Sequence, residues 1–274
     1  MAFCLTYSRQ RSNMTKPVSK SIVFITGAFI GNNCWDEWIT FFESYGYNCI
    51  APAWPHKDAS PEELRNRHPD AGIASNRLAD ITDHFAAIVK ESPEQPILIG
   101  HSVGGLVVQV LLDRGLGAAG VALHSFPPDR VCTYRFSFIE SVWEAMSFFT
   151  SLQKTYMVRF RKWKYAFANG MSYELQKELY YKYATPESKG LVRDAFKWVA
   201  KVDFKKPHLP LLFISGGKDR MIPASLNYCN YEEYPAGNSI TDYKDFKGRN
   251  HLVFGHPACI NDAEFILYWL QNIK

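Results

Sequence analysis

Residues 100–104 form the pattern G-x-S-x-G, with Ser102 at its centre. Residues 96–99 before it are short and apolar, as in a buried strand, and residues 105–112 after it can continue as a helix. A serine held on a sharp turn between a strand and a helix exposes its hydroxyl and can act as a nucleophile. The flanking glycines leave room where a Cβ would collide with the neighbouring strand and helix. We predict that Ser102 is a nucleophile; the alternative is a glycine-rich turn that needs only small residues.

A nucleophilic serine needs a base to take its proton, and the base needs an acid to orient it. With this type of turn, the acid follows the serine in the chain and the histidine comes last, each on a loop after a strand. Residues 211–214 have the character of a buried strand, and Asp219 lies in the glycine-rich loop that follows. Asp219 is therefore the predicted acid, against the simpler role of a turn aspartate. Asp242 and Asp245 compete with it, but they lie within the expected last strand.

The base must be one of eight histidines. Only His251 and His256 follow both Asp219 and the last expected strand, and His251 lies in the turn directly beyond that strand. His251 is the predicted base. His256, which precedes a proline and is typical of a helix entry, is the fallback.

A tetrahedral intermediate on Ser102 needs two backbone N–H donors for its oxyanion. One should come from Val103, the residue after the nucleophile. The other should come from the loop after the first strand, residues 26–31, where Ala28 is the first choice and Phe29 the second. The alternative for this loop is a tight connection between a strand and a helix.

Strand-like runs alternate with helix-length segments on both sides of this pattern. Such alternation predicts a mostly parallel sheet of about six strands with helices on both faces. The expected strands lie near residues 22–25, 47–51, 97–99, 120–124, 211–214 and 242–246, and the clearest helices near 35–45, 73–90 and 264–273.

The alternation stops between residues 126 and 205, where two apolar stripes at helical spacing predict a helical insertion. We expect residues 21–125 and 206–274 to form the core, residues 126–205 a cap or lid over Ser102, and residues 1–20 an N-terminal extension. The aromatic residues of the insertion would line an acyl pocket or fix the lid to the body: Phe126, Phe136, Phe138, Trp143, Phe148 and Phe149. The basic and aromatic stretch 157–165 would touch anionic headgroups or acidic substrates, or form a solvated face.

Three motifs together resemble the α/β-hydrolase superfamily over roughly residues 21–270: G-H-S-V-G at 100–104, S-G-G-K-D-R-M-I-P at 215–223 and G-R-N-H at 248–251. Residues 23–38 resemble the H-G-A-x-x-G-x-x-W opening of small ester hydrolases, which include plant methylesterases and their hydroxynitrile lyase relatives. The resemblance implies an α/β-hydrolase fold with a Ser102, Asp219 and His251 triad. It also implies Ala28 and Val103 as the oxyanion donors.

The chain departs from that family pattern at two positions. Thr26 stands where the family has a histidine before the oxyanion glycine. Leu252 stands where the lyases have a lysine after the catalytic histidine, and this argues against cyanohydrin cleavage.

The expected reaction is hydrolysis of a carboxylic ester of a small or medium apolar substrate through an acyl-enzyme. The same triad would also serve lactone opening, C–C cleavage or perhydrolysis, and a low-turnover ligand receptor on this fold is a further alternative. The residues expected to border the substrate are Phe29, Trp54, His101, Phe126 and Leu252. Of these, His101 should point its side chain away from Ser102 across the turn.

The composition is that of an ordinary globular protein, with 47% apolar and 21% charged residues among 274. A net charge of +4 is too small to indicate nucleic-acid binding. No secretory signal or membrane-spanning run is seen, and the six cysteines are scattered, so we expect reduced thiols and a cytoplasmic protein. No metal or dinucleotide motif appears, so no metal and no cofactor are expected. The expected partner is a small-molecule ester, bound by a monomer or homodimer without stable membrane insertion.

Overall fold

Six parallel strands form the central sheet of the computed structural model, which describes residues 18–129, 131, 154–196, 200–237, 239–256 and 258–273. Along the chain, the strands are β1 (Ser21–Ile25), β2 (Asn48–Ile50), β3 (Ile97–His101), β4 (Ala119–Leu123), β5 (Leu211–Gly216) and β6 (Thr241–Phe246). Across the sheet, the order is β2-β1-β3-β4-β5-β6. The prediction of a parallel sheet of about six strands is confirmed.

The middle of the sheet is its most buried part. Every residue of β3, β4 and β5 is buried, whereas the edge strands β2 and β6 each carry exposed positions. Because successive side chains of a strand point to opposite faces, full burial requires cover on both faces of the sheet. The carboxyl ends of these central strands are therefore enclosed, and loops that follow them start from a rigid base.

Ten α-helices lie in the described residues, and several are shorter or longer than their sequence pattern indicated. They are α1 (Asp36–Ser44), α2 (Pro61–Asn66), α3 (Ala71–Ser75), α4 (Leu78–Glu91), α5 (Val103–Asp113), α6 (Phe160–Ala166), α7 (Tyr173–Tyr183), α8 (Lys189–Phe196), α9 (Ala224–Glu232) and α10 (Cys259–Asn272). Helix α5 packs on β3 and β4, α1 packs against α10, and α4 packs against α5. None of the described helices has the length and apolarity needed to cross a membrane.

The prediction of one helix over residues 73–90 is wrong, because two contacts break it near its start, at residues 76 and 77. The side-chain amide of Asn76 donates to the Pro55 carbonyl at 2.8 Å, and the backbone of Asn76 leaves the helical region. Arg77 is extended and forms an ion pair with Asp194. These partners are distant in sequence, so local periodicity contains no sign of the break.

The insertion between the paired strands β4 and β5, residues 126–205, holds α6, α7 and α8. It also contains two strands of two residues each, Thr155–Tyr156 and Glu187–Ser188, which pair antiparallel. The described part of the insertion therefore has the expected helices and, in addition, these four strand residues. The aromatic residues Phe136, Phe138, Trp143, Phe148 and Phe149 lie outside the described residues.

Candidate active site

Ser102 lies on a strained turn between β3 and α5, with a φ of 56° and a ψ of −117°. A Cβ on Gly100 would lie 2.2 Å from the Gly104 carbonyl oxygen, and one on Gly104 would lie 2.1 Å from the Ile25 carbonyl oxygen. Both distances are below any real contact, so the turn closes only with glycine at both positions. The structure confirms the steric reason that the sequence pattern suggested.

A continuous chain of hydrogen bonds links the three predicted catalytic side chains. The Ser102 hydroxyl donates to Nε2 of His251 at 3.1 Å, and Nδ1–H of His251 donates to Oδ2 of Asp219 at 2.8 Å. His251 is fully buried, and Ser102 and Asp219 are 7% and 6% exposed. The strand ends after β3, β5 and β6 thus bring together residues that are up to 149 positions apart.

The Asp219 carboxylate accepts four hydrogen bonds, two at each oxygen. Its Oδ1 accepts the main-chain N–H groups of Met221 and Ile222 at 2.7 and 2.8 Å. Its Oδ2 accepts from His251 and from a second histidine, His124, at 2.7 Å. Burial alone would raise the pKa of Asp219, but the charge of His251 and the hydrogen bonds from both imidazoles outweigh it and hold that pKa well below its usual range.

His124 is the residue that sequence reasoning missed. It directly follows β4, and β4 is the neighbour of β5, after which Asp219 comes. The backbone of His124 has a positive φ of 45°, and Nε2 of its buried ring has no hydrogen-bond partner among the described residues. The rule that active-site groups follow strand ends, applied to every histidine, would have found it.

His101 contacts the main chain of the predicted base. Its ring is fully buried, and Nε2–H donates to the His251 carbonyl at 2.8 Å. Burial, followed by the charges of His251 and His124, lowers the pKa of His101 well below its ordinary value, so this ring is neutral. The observed contact supports the loop that carries His251, and substrate contact by His101 stays untested.

The loop after β1 approaches Ser102 closely. A Cβ on Gly27 would lie 2.9 Å from Cβ of Ser102. The N–H groups of Ala28 and Val103 have no acceptor among the described residues, which leaves them free for an oxyanion. Thr26, which replaces the family histidine, accepts the indole N–H of Trp35 at 3.0 Å and thereby anchors the start of the loop.

A buried ion pair holds the other end of this loop. Oε2 of Glu187 accepts the main-chain N–H of Phe29 at 3.3 Å and the Lys57 ammonium at 2.7 Å, while Oε1 accepts the N–H of Ser188 at 3.0 Å. The side chains of Lys57 and Glu187 are 4% and 0% exposed. No local motif marks either residue, because they are 130 positions apart and lie in different parts of the fold.

The insertion is hydrogen-bonded through its main chain to residues 26–31, the loop after β1 that is predicted to hold the oxyanion and is called the oxyanion loop below. The Thr185 N–H donates to the Phe29 carbonyl at 3.0 Å, and the Gly31 N–H donates to the Tyr183 carbonyl at 2.8 Å. Phe29 itself has a positive φ of 68° and an edge contact with the ring of Tyr156. These contacts fix the conformation of the loop between two layers of the protein.

The insertion is also bonded to the loops that carry Asp219 and His251, the predicted acid and base. The Leu252 N–H donates to the Phe167 carbonyl at 2.9 Å. The Asn169 amide donates to the Lys218 carbonyl at 2.9 Å, and the Asn250 amide donates to the Asn169 carbonyl at 2.8 Å. All three loops around Ser102 therefore have partners in the insertion.

Three of the predicted substrate-binding residues, Phe126, Leu252 and Trp54, are buried. The Phe126 N–H donates to the Ser102 carbonyl at 2.9 Å, and Leu252 adjoins His251 and is fully buried. Trp54 is buried and has the Lys57 ammonium 5.2 Å from its ring centroid. Their contacts with a substrate stay predictions.

His124, Asp219 and His251 also form a group whose ligand atoms lie within 4.8 Å of one another, a spacing that suits a metal ion. However, both Nδ1 atoms must carry a proton, since each donates to the same acceptor oxygen of Asp219. A metal ion needs free lone pairs at those positions. The arrangement fits proton transfer, and we do not identify a metal site here.

The sequence of this chain is similar to that of a known protein family. The model of the alpha/beta hydrolase family matches residues 22–260. No curated protein sequence gives a significant match.

Three solved structures illustrate the likeness of fold. A monoacylglycerol lipase from Paleococcus ferrophilus is 18% identical, with 94% of this chain and 96% of that chain covered and a TM-score of 0.67. A methylesterase from Arabidopsis is 15% identical, with coverages of 93% and 100% and a TM-score of 0.64. An extracellular alpha/beta-hydrolase from a Paenibacillus species is 18% identical, with coverages of 91% and 98% and a TM-score of 0.65.

At 15–18% sequence identity, these solved structures show a likeness of the fold alone. The family match is the stronger finding, because it spans most of the chain and includes the serine turn together with the acid and base loops. The chain belongs to the alpha/beta hydrolase family.

Proposed function

We propose that the protein is a serine hydrolase that cleaves a carboxylic ester of a small or medium apolar substrate. The observation that carries this proposal is the unbroken hydrogen-bond chain from Ser102 through His251 to Asp219. This chain of hydrogen bonds begins at Ser102, which lies on a strained turn where a nucleophile of this fold family is expected. Proteins of the same fold that are named a methylesterase and a monoacylglycerol lipase support ester cleavage as the class of reaction.

Acylation begins when Nε2 of His251 takes the Ser102 proton as Oγ attacks the ester carbonyl carbon. Asp219 keeps the proton of His251 on Nδ1, so that Nε2 faces the serine, and it stabilises the imidazolium that forms. The C–O bond of the ester then breaks, and His251 returns the proton to the departing alcohol.

The oxyanion of the tetrahedral intermediate binds to the free N–H groups of Ala28 and Val103. Two such donors lower the barrier by several kcal/mol, since each is worth about 3 kcal/mol in comparable sites. Deacylation repeats the sequence with water as the attacking group. His251 removes a proton from that water, and the products are a carboxylic acid and the regenerated serine.

The insertion, residues 126–205, is proposed as a cap that closes the site above the core formed by residues 21–125 and 206–274. Support comes from its hydrogen bonds to all three loops and from the ring of Phe167, whose centroid lies 5.3 Å from that of His251. The rings of Phe29, Tyr156 and Phe167 surround one side of the site, which favours an apolar substrate group.

A fluorophosphonate probe tests the nucleophile. We expect rapid labelling of the parent protein and of Ser44→Ala, a matched control in which an exposed serine is removed at the end of α1. Labelling should be lost in Ser102→Ala. Labelling that persists in Ser102→Ala would overturn the assignment.

Hydrolysis of p-nitrophenyl esters of increasing chain length tests the reaction and the size of the acyl group. We expect turnover that is best for short or medium chains. If the probe labels Ser102 but no ester is hydrolysed, the same triad serves lactone opening, C–C cleavage or perhydrolysis, or the protein is a low-turnover receptor.

A further inference from the structure

The Asp219 carboxylate accepts two imidazole N–H groups through one oxygen. Nδ1 of His124 lies 2.7 Å from Oδ2, and Nδ1 of His251 lies 2.8 Å from the same atom. We propose that His124 is a positioning residue that shares Oδ2 with His251, weakens His251 as a base, and thereby sets the lower pH limit of activity. This inference rests on the proposed function.

The geometry fixes which nitrogen of His124 carries the proton. An ionised carboxylate only accepts hydrogen bonds, so Nδ1 of His124 must be the donor. Nε2 has no partner among the described residues, and the ring is fully buried. A Cβ on Gly216 would lie 2.4 Å from Cε1 of His124, so the absence of a side chain there makes room for the ring.

The backbone of His124 is strained where it makes this contact. A φ of 45° is unfavourable for a residue with a Cβ. Strain of this kind persists when the surroundings require it, and here it turns the ring onto the Asp219 carboxylate at the carboxyl end of β4.

The effect on His251 follows from charge. When His251 takes the serine proton it becomes an imidazolium, and Oδ2 of Asp219 is the negative group that stabilises it. A second N–H bound to Oδ2 withdraws part of that negative charge, and low dielectric in the buried site makes the loss significant. Sharing Oδ2 therefore makes proton acceptance by His251 less favourable, and the pH profile of the reaction measures this effect.

The other charged and titratable groups that face His124 come from the strand and loops around it. These are Asp219, His251, His101 and Asp262. Asp262 is neutralised by a part-buried ion pair with Arg249 at 2.9 Å, and the neutral ring of His101 is bonded to the His251 carbonyl. Asp219 is therefore the ionised partner through which His124 acts on His251.

Two variants of nearly equal size separate the donated hydrogen bond from the volume of the ring. In His124→Leu no donor remains, and we expect the acid limb of kcat/KM to move to higher pH by about one unit. In His124→Asn the amide can donate from near the Nδ1 position, and we expect the acid limb to stay within about 0.2 units of the parent. His84→Asn, at a histidine that bonds the Ala53 carbonyl, serves as a control with no shift.

An acid limb that does not move in His124→Leu overturns the proposal. An equal shift in the leucine and asparagine variants also overturns it, because the donated N–H would then not be responsible. The pH dependence of the fluorophosphonate labelling rate gives the same information where ester turnover is too slow to measure.

A measurement on the parent protein covers the case in which the leucine variant does not fold. With ¹⁵N-labelled histidine, NMR distinguishes protonated from bare ring nitrogens. We expect His124 to carry its proton on Nδ1, and a proton on Nε2 instead would overturn the proposal. This readout needs no catalysis, so it separates a failure of the His124 assignment from a failure of the proposed hydrolase activity.

Discussion

Two buried carboxylates, Asp219 and Glu187, contact the loops around Ser102, and their partners differ in kind. Asp219 binds two imidazole rings and two main-chain N–H groups. Glu187 binds the Lys57 ammonium and the main-chain N–H groups of Phe29 and Ser188. Both side chains are fully or almost fully buried, so each depends entirely on these partners.

The two carboxylates differ in what their partners do. His251 is proposed to gain and lose a proton during the reaction, and Asp219 is its hydrogen-bond acceptor. Glu187 instead holds the main chain of Phe29 and pairs with Lys57, neither of which has a proposed part in proton transfer.

Substitution of Asp219 should have the largest effect on activity. In Asp219→Asn the side chain can present an N–H toward His251 and favour the wrong ring tautomer. We expect kcat to fall on the order of 10⁴-fold, measured by ester hydrolysis on the folded variant. Asp83→Asn, at an exposed carboxylate paired with Arg114, should change kcat little. A loss of less than tenfold in Asp219→Asn would contradict the proposed role.

Substitution of Glu187 should act first on the free energy of unfolding. In Glu187→Ala the Lys57 ammonium is left buried without a partner, and we expect the free energy of unfolding to fall by about 3–5 kcal/mol in urea denaturation. The double variant Lys57→Met with Glu187→Gln removes both charges and keeps an acceptor for the Phe29 N–H. It should be clearly more stable than Glu187→Ala. Equal stability of the two variants would show that the buried charge is not the cause.

A smaller effect is expected in the pH dependence of the free energy of unfolding, and it again concerns Asp219. The pKa of Asp219 is lowered in the folded protein, so its stabilising contribution is complete above the unfolded value near 4 and is lost as the pH falls. Between pH 5 and 3 we expect Asp219 to account for about 1 kcal/mol of the decrease in the free energy of unfolding. Asp219→Asn should show a shallower decrease, and an unchanged slope would contradict this account.

The sequence indicated the sheet and the positions of Ser102, Asp219 and His251 because these depend on short-range signals. Buried runs of β-branched and apolar residues mark the strands, and each of the three side chains comes just after one. The structure brings the three together, while their catalytic roles stay predictions. His124 obeys the same rule at β4 and was overlooked because it precedes Asp219 in the chain.

The remaining features depend on contacts between distant segments. The Lys57–Glu187 pair joins residues 130 positions apart, and neither residue lies in a local sequence pattern that predicts the pair. The break between α3 and α4 likewise depends on contacts of Asn76 and Arg77 with residues elsewhere in the chain. Helical periodicity continues through that break, so only the folded chain reveals it.

The hydrogen bonds between the insertion and the three loops have a consequence for how the molecule comes apart. Phe167 and Asn169 bind the acid and base loops, and Tyr183 and Thr185 bind the oxyanion loop. Melting of this part of the insertion would remove those partners at once, so the loops and the insertion form one cooperative unit.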